Sequence, residues 1–268
     1  MHKFTAPPLS FVGNKKYFSK IYLEFLDFAL LSGVINKQTI FLDCFGGSGW
    51  LSHITKQRFP KNRVIWNDYD NYQERLERIP QTNAIRQELL RIKEKNLSKE
   101  KTKQEILKVL NANLNYDLRT ISGYLTFCGQ TLKEDLSNFV PSALEKITKT
   151  TIKEPIGYLE GVERVQSDAV NLIETSAGGG GYFLILDPPY LQTHSKSYEG
   201  YFNLSDYARL LNAIKKPYCL FGSAKSDILE LLSLVEEKEQ IKGFCVYGES
   251  FTKMNQGIKD RDYLIYNF

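Results

Sequence analysis

Thr39-Ile40-Phe41-Leu42-Asp43-Cys44-Phe45-Gly46-Gly47-Ser48-Gly49 is an apolar run closed by an acid and then by a glycine-rich turn. A helix-compatible stretch from Ser48 to Arg58 follows, so the segment predicts strand, turn and helix in succession. Arg63 to Trp66 reads as a second strand ending in Asn67-Asp68, and two strands separated by a helix predict the first βαβ unit of a parallel sheet. Working outward, further strands are expected at Arg164 to Gln166, Tyr182 to Leu186, Pro217 to Phe221, Gly243 to Tyr247 and Asp262 to Asn267. Helix-like segments from Ser205 to Ile214 and Ser226 to Val235 lie between them. Upstream, Phe18, Ile21, Tyr22, Phe25, Leu26 and Ala29 recur at helical spacing, and the pattern stops at Gly33. The alternation predicts an α/β fold: a doubly wound, mostly parallel, seven-stranded sheet with a hairpin at its C-terminal edge.

Residues 83 to 161 break the rhythm and predict a mainly helical insertion, leaving 1–82 and 162–268 as the main domain. Between residues 86 and 108 eight Lys/Arg stand against four Glu, a local excess equal to the +4 of the whole chain. Such a stretch suits either a solvated helix pair laced with salt bridges or a phosphate-binding face. Gly178 to Gly181 predicts a flexible loop before the next strand.

The chain has 268 residues, 42% of them hydrophobic and 25% charged, which places it in the globular range. The four cysteines, Cys44, Cys128, Cys219 and Cys245, are widely spaced with no C-x-x-C pair. Neither a zinc site nor a disulfide framework is indicated; reduced, mostly buried thiols and no metal are expected. The N-terminus has no apolar signal core, and no apolar run approaches membrane-spanning length. A cytoplasmic location with no membrane partner is the expectation.

Two segments carry the chemistry. The turn from Asp43 to Gly49 falls where open α/β sheets bind ligands, at the carboxyl end of a strand, with glycines admitting close approach and a helix N-terminus presenting N–H groups. Asp68 ends the next strand 25 residues after Asp43, near the spacing at which an acid reaches ribose hydroxyls in dinucleotide sites. The second segment is Phe183-Leu184-Ile185-Leu186-Asp187-Pro188-Pro189-Tyr190. Here an apolar strand delivers an acid, two prolines remove backbone donors so that carbonyls face a cavity, and an aromatic ring follows.

Asp43-x-Phe45-x-Gly47-Ser48-Gly49 followed by Asp187-Pro188-Pro189-Tyr190 resembles the amino-methyltransferases that act on adenine N6, in the order of the alpha-type DNA adenine methyltransferase family. Phe11-Val12-Gly13-Asn14-Lys15 resembles that family's N-terminal aromatic-small-Gly-Gly-Lys segment, with Asn14 in place of a glycine. The resemblance implies a Rossmann-like domain using S-adenosylmethionine, with double-stranded DNA as partner and a restriction endonuclease as a candidate cellular companion. It assigns Phe11, Gly13, Lys15, Asp43, Phe45, Gly47, Ser48, Gly49, Asp68, Asp168 and Asp187 to the cofactor, with Asp68 on the ribose and Asp168 on the cofactor's adenine amine. Asp187, Pro188 and Tyr190 become catalytic: an exocyclic amine is a poor nucleophile, and a carboxylate with a carbonyl can accept its hydrogens while the ring stacks on a flipped base. Residues 191–202, with His194, Ser195, Lys196, Tyr198 and Tyr201, would close over that base. Residues 112–160, with Arg119, Tyr124, Gln130, Lys133 and Asn138, would read sequence. The rival readings are the same chemistry on RNA, a non-catalytic nucleic-acid-binding protein of this fold, and cytosine N4, where Ser more often replaces the acid.

Overall fold

The computed structural model describes residues 4–127, 130–176, 180–190, 202–223, 228–239, 241–254 and 258–268. They divide into two compact units, one formed by residues 5–7, 13–70 and 157–268, the other by Phe4, Pro8–Val12 and Asn71–Ile156.

The larger unit contains α1 (Ser19–Leu31), β1 (Ile40–Asp43), α2 (Trp50–Arg58) and β2 (Val64–Asn67). After the other unit come β3 (Glu163–Val165), α7 (Ala169–Ser176), β4 (Tyr182–Leu186), α8 (Leu204–Ala213), β5 (Tyr218–Ser223), α9 (Ile228–Leu234), β6 (Cys245–Met254) and β7 (Ile258–Asn267). The strands form a seven-stranded sheet in the order β3-β2-β1-β4-β5-β7-β6. Strands β1 to β5 run parallel, and β7 runs antiparallel to both β5 and β6. This is the doubly wound, Rossmann-like sheet that the alternation predicts.

Strands β1, β4 and β5 are almost wholly buried, which is why they read as unbroken apolar runs. Leu42, Leu184, Leu186 and Leu220 face one layer, with Leu172 and Ile173 of α7, Tyr207, Leu210 and Leu211 of α8, and Ile228 and Leu232 of α9. The alternate residues form an aromatic layer on the opposite face. Phe18 meets Phe221 at 5.4 Å, Phe25 meets Phe183 at 6.2 Å, and Phe41 stacks on Phe59 at 5.1 Å. The C-terminal hairpin extends well beyond the expected segments, each strand being ten residues long. Its distal pairs join polar residues such as Ser250 with Asp262 and Thr252 with Asp260, so apolar periodicity could not mark them. Backbone pairing at a sheet edge does not require an apolar side chain on either face.

The smaller unit contains α3 (Tyr72–Glu77), α4 (Ile79–Glu94), α5 (Lys99–Ala112) and α6 (Leu118–Leu125). Ile85, Leu89 and Ile92 on one face of α4 pack with Ile106, Leu110, Ile121, Leu125, Leu136 and Phe139 into a core of their own. The smaller compact unit runs from Asn71 to Ile156 in this part of the chain, beside the insertion expected over residues 83–161. Helix α4 runs unbroken through residue 83, and α3 is tied into the same unit. Buried Arg75 reaches both carboxylate oxygens of Asp117 at 3.0 Å, and the Tyr72 hydroxyl donates to the Leu9 carbonyl at 2.7 Å.

Four of the eight basic residues in the stretch 86–108 form ion pairs among the described residues. Arg91 pairs with Glu88, Lys93 with Glu145, and Lys95 and Lys108 with Glu105. Arg86 is buried, donating to Asn83 and to the Thr150 carbonyl, with its guanidinium over the Tyr124 ring. Cys44 and Cys219 are buried and Cys245 is exposed, while Cys128 lies outside the described residues. Among the described residues no helix is long and apolar enough to cross a membrane, and no group of three or more His, Cys, Asp or Glu could hold a metal ion.

Candidate active site

Strands β1 and β4 are neighbours, while the chain leaves β1 through α2 toward β2 on the other side, so the sheet's switch point lies at the carboxyl ends of β1 and β4. Asp43 lies opposite Ile185, and the Cys44 amide donates to the Ile185 carbonyl at 3.0 Å. The glycine turn and the Asp187 tetrapeptide therefore emerge side by side from adjacent strands, which lie about 4.8 Å apart.

The turn is held against a tryptophan. A Cβ on Gly46 would stand 2.0 Å from Cδ1 of buried Trp66, so no other residue fits without displacing the indole. Gly47 and Gly49 adopt φ of 46° and 71°, the left-handed region that glycine enters at little cost. Asn67 ties three strand ends together: its amide donates to the Cys44 carbonyl at 2.8 Å and the Ser167 carbonyl at 2.9 Å, and its oxygen accepts from the Ser167 amide.

A segment returning from the smaller unit's sequence completes the support. The Tyr158 hydroxyl donates to the Ser48 carbonyl at 2.8 Å, and the Leu159 side chain lies where a Cβ on Gly49 would be 2.8 Å away. The Leu159 amide donates to Nδ1 of His53 on α2 at 3.1 Å, and the His53 ring lies against Tyr158 at 4.6 Å. Burial lowers the His53 pKa to about 4, so the ring is a neutral acceptor.

The acids divide by environment. Asp43 is fully buried; Ser52 Oγ donates to its Oδ2 at 2.6 Å, and its Oδ1 has no hydrogen-bond partner among the described residues. Burial, with the nearby Asp187 charge adding, raises its pKa to about 7. Asp68 is also buried and receives Arg164 Nε at 2.8 Å, so a ribose would share this carboxylate with a guanidinium. Asp168 is exposed and accepts from the Asn171 amide at 3.0 Å, spending its carboxylate on capping α7.

Asp187 is met by Lys15, whose Nζ lies 2.7 Å from each carboxylate oxygen and 2.9 Å from the Gly13 carbonyl. The same ammonium lies 5.1 Å from the centre of the Tyr190 ring, linking the first and last residues of the tetrapeptide. Burial raises the Asp187 pKa, Lys15 opposes that rise, and Asp262 adds to it. Pro188 is buried, and the Pro189 carbonyl accepts from the hydroxyl of buried Tyr207 on α8 at 2.9 Å. Tyr207 in turn meets Phe202 edge-on at 5.0 Å, and Phe202 meets half-buried Phe45 edge-on at 5.7 Å. An aromatic relay thus runs from the glycine turn to the tetrapeptide.

Of the residues expected at the site, Gly13, Lys15, Asp43, Phe45, Gly47, Ser48, Gly49, Asp68, Asp187, Pro188 and Tyr190 belong to the larger unit, and all but Gly13 and Lys15 cluster about the carboxyl ends of its strands. Lys15 joins them through Asp187. Phe11 belongs to the smaller unit, edge-on to Tyr72 at 5.8 Å. His194, Ser195, Lys196, Tyr198 and Tyr201 lie outside the described residues. In the smaller unit Asn138 holds its own loop through Lys133 N–H and the Thr131 carbonyl, while Gln130 and Lys133 are exposed. Trp66, Asn67, Tyr158, His53 and Tyr207 escaped the sequence reading. Each acts through a partner on a different element, and only the Asn67-Asp68 strand end carried a local hint.

No family model matches the chain. A protein of Haemophilus influenzae strain Rd named "Putative methyltransferase" is similar to it, with 36% identity over 245 residues covering 88% of this chain and 82% of the relative. Together with the seven-stranded sheet and the glycine turn at its switch point, that similarity makes the chain a methyltransferase, a member of the family to which the Haemophilus influenzae protein belongs.

Proposed function

We propose that the chain transfers a methyl group from S-adenosylmethionine to the exocyclic N6 of an adenine extruded from duplex DNA. The residues present fit such a cofactor. A sulfonium carrying an α-ammonium, a ribose diol and an adenine amine calls for acceptors, and Asp43 offers a buried oxygen without a partner among the described residues. Asp68 stands at the end of β2, and the Gly46 to Gly49 turn opens onto the N-terminus of α2. When bound, the cofactor supplies an electrophilic methyl group.

The observation that carries the substrate assignment is the placement of Asp187 and Tyr190 beside that turn, joined through Lys15. Asp187 and the Pro188 carbonyl accept the two hydrogens of the amine and draw its lone pair out of the ring. Tyr207 engages the neighbouring Pro189 carbonyl and fixes the direction of the peptide. Tyr190 stacks on the extruded base, a contact worth about 1–3 kcal/mol. With the methyl group supplied by the cofactor and its sulfur as leaving group, the surplus proton on the amine nitrogen would pass to water. The smaller unit, with its own helical core, is assigned to target recognition, and duplex DNA is the partner proposed for it.

Radiolabelled methyl transfer to duplex DNA and to total RNA, followed by nucleoside analysis, tests the assignment. N6-methyldeoxyadenosine is the expected product. Asp187→Ala should lower turnover by about 10²–10³-fold while calorimetric cofactor binding persists. Unchanged turnover would reject the role of Asp187, and label confined to RNA would reject the DNA substrate.

A further inference from the structure

We infer that Lys15 is a positioning residue for the catalytic carboxylate, holding Asp187 as an oriented hydrogen-bond acceptor. The inference rests on the role proposed for Asp187 above. Lys15 is 6% exposed, and an ammonium has three N–H donors. It donates to Asp187 Oδ2 at 2.7 Å and to the Gly13 carbonyl at 2.9 Å, and Asp187 Oδ1 also lies 2.7 Å from the ammonium.

The charge balance explains why such a lysine is required. Asp187 is pushed toward its neutral form by burial, with Asp262 of β7 acting in the same direction. Asp43 of β1 and Cys219 of β5 also lie within electrostatic reach of it. Lys15 is the opposing cation, acting both through its charge and through its hydrogen bonds. A protonated Asp187 would present an O–H toward the amine and lose one of its acceptor sites, so transfer requires the carboxylate. An ionised carboxyl has about four lone-pair sites, and the ammonium leaves others for the amine. Tyr190 profits from the same contact, since the ammonium held 5.1 Å from its ring centre restrains the stacking surface.

The test compares wild type, Lys15→Met, Lys15→Gln and Lys15→Arg, with Asp187→Asn identifying the signal. The Asp187 carboxyl is titrated in the resting protein by carbon NMR with labelled aspartate. Both neutral variants should titrate about one unit or more above wild type, and Lys15→Arg close to wild type. The acid limb of methyl transfer should move upward by the same amount, with calorimetric cofactor affinity within about twofold of wild type. An unmoved Asp187 midpoint in both neutral variants overturns the inference. So does a cofactor affinity reduced about tenfold with an unmoved midpoint. If the midpoint moves but no nucleic acid is methylated even by wild type, the substrate assignment fails and the link between Lys15 and the Asp187 charge stands.

Discussion

The hydroxyl of Tyr207, on α8, donates to the carbonyl of Pro189 at 2.9 Å and so holds from outside the loop a stretch whose two prolines have no N–H to donate. Tyr207→Phe keeps the ring packed on Phe202 and removes this bond. Stability should fall by about 1 kcal/mol, read from urea unfolding. The methyl-transfer rate should fall with little change in cofactor affinity, because the glycine turn is untouched. An unaltered rate would show that the carbonyl needs no holding.

Gly46 has no space for a side chain, a Cβ there standing 2.0 Å from Trp66 Cδ1. Gly46→Ala should cost about 1–3 kcal/mol by forcing the buried indole aside. Cofactor affinity should weaken with it, since the turn can relax only by moving away from β2. Gly123, inside α6 with nothing within 4 Å of its would-be Cβ, is the contrast. There, alanine should stabilise by about 0.5–1 kcal/mol, as expected for a helix interior. Thermal or urea unfolding of the two variants checks both signs.

Asp43, its pKa raised by burial from 3.8 to about 7, binds its proton more tightly in the folded chain than in the unfolded one. The contribution of that proton to stability is present at low pH and is lost as pH rises from about 4 to about 7. Its upper bound is about 4 kcal/mol, from 1.36 kcal/mol per unit. Asp43→Asn can still accept from Ser52 but does not ionise. It should therefore be more stable than wild type at pH 8, with the advantage vanishing toward pH 4. Parallel unfolding curves at all pH values would contradict the buried, titrating carboxyl.

His53 gives a slope of the opposite sign. Its pKa, lowered from 6.5 to about 4, means that the unfolded chain takes up a proton the folded chain refuses. Stability from this group is full above pH 6.5 and is lost as pH falls toward 4. His53→Asn retains an acceptor for the Leu159 amide without a titrating ring. Urea unfolding of this variant between pH 4 and 6.5 should be flatter than wild type, and an equally steep acid limb would assign that limb to other groups.

The sequence by itself determined the sheet. The unbroken apolar runs at Ile40–Asp43, Tyr182–Leu186 and Tyr218–Ser223 are what strands buried on both faces must look like, and the acid-and-glycine ending of the first marks where a ligand meets the sheet. It also displayed Asp187-Pro188-Pro189-Tyr190, because the prolines and the ring act through their own local geometry. The edge hairpin was half legible, since its outer pairs are polar and are specified by backbone register. Only the tertiary structure decided who holds whom: Lys15 meets Asp187 across 172 positions of chain, Tyr158 reaches Ser48 across 110, and Asn67 joins Ser167 across 100. It likewise placed the unit boundary before α3, where Arg75 finds Asp117 across 42 residues. Periodicity and turn chemistry are local properties of a few successive residues, whereas a buried charge or carbonyl finds its partner only after the chain has folded, and nothing in the partner's immediate sequence announces it.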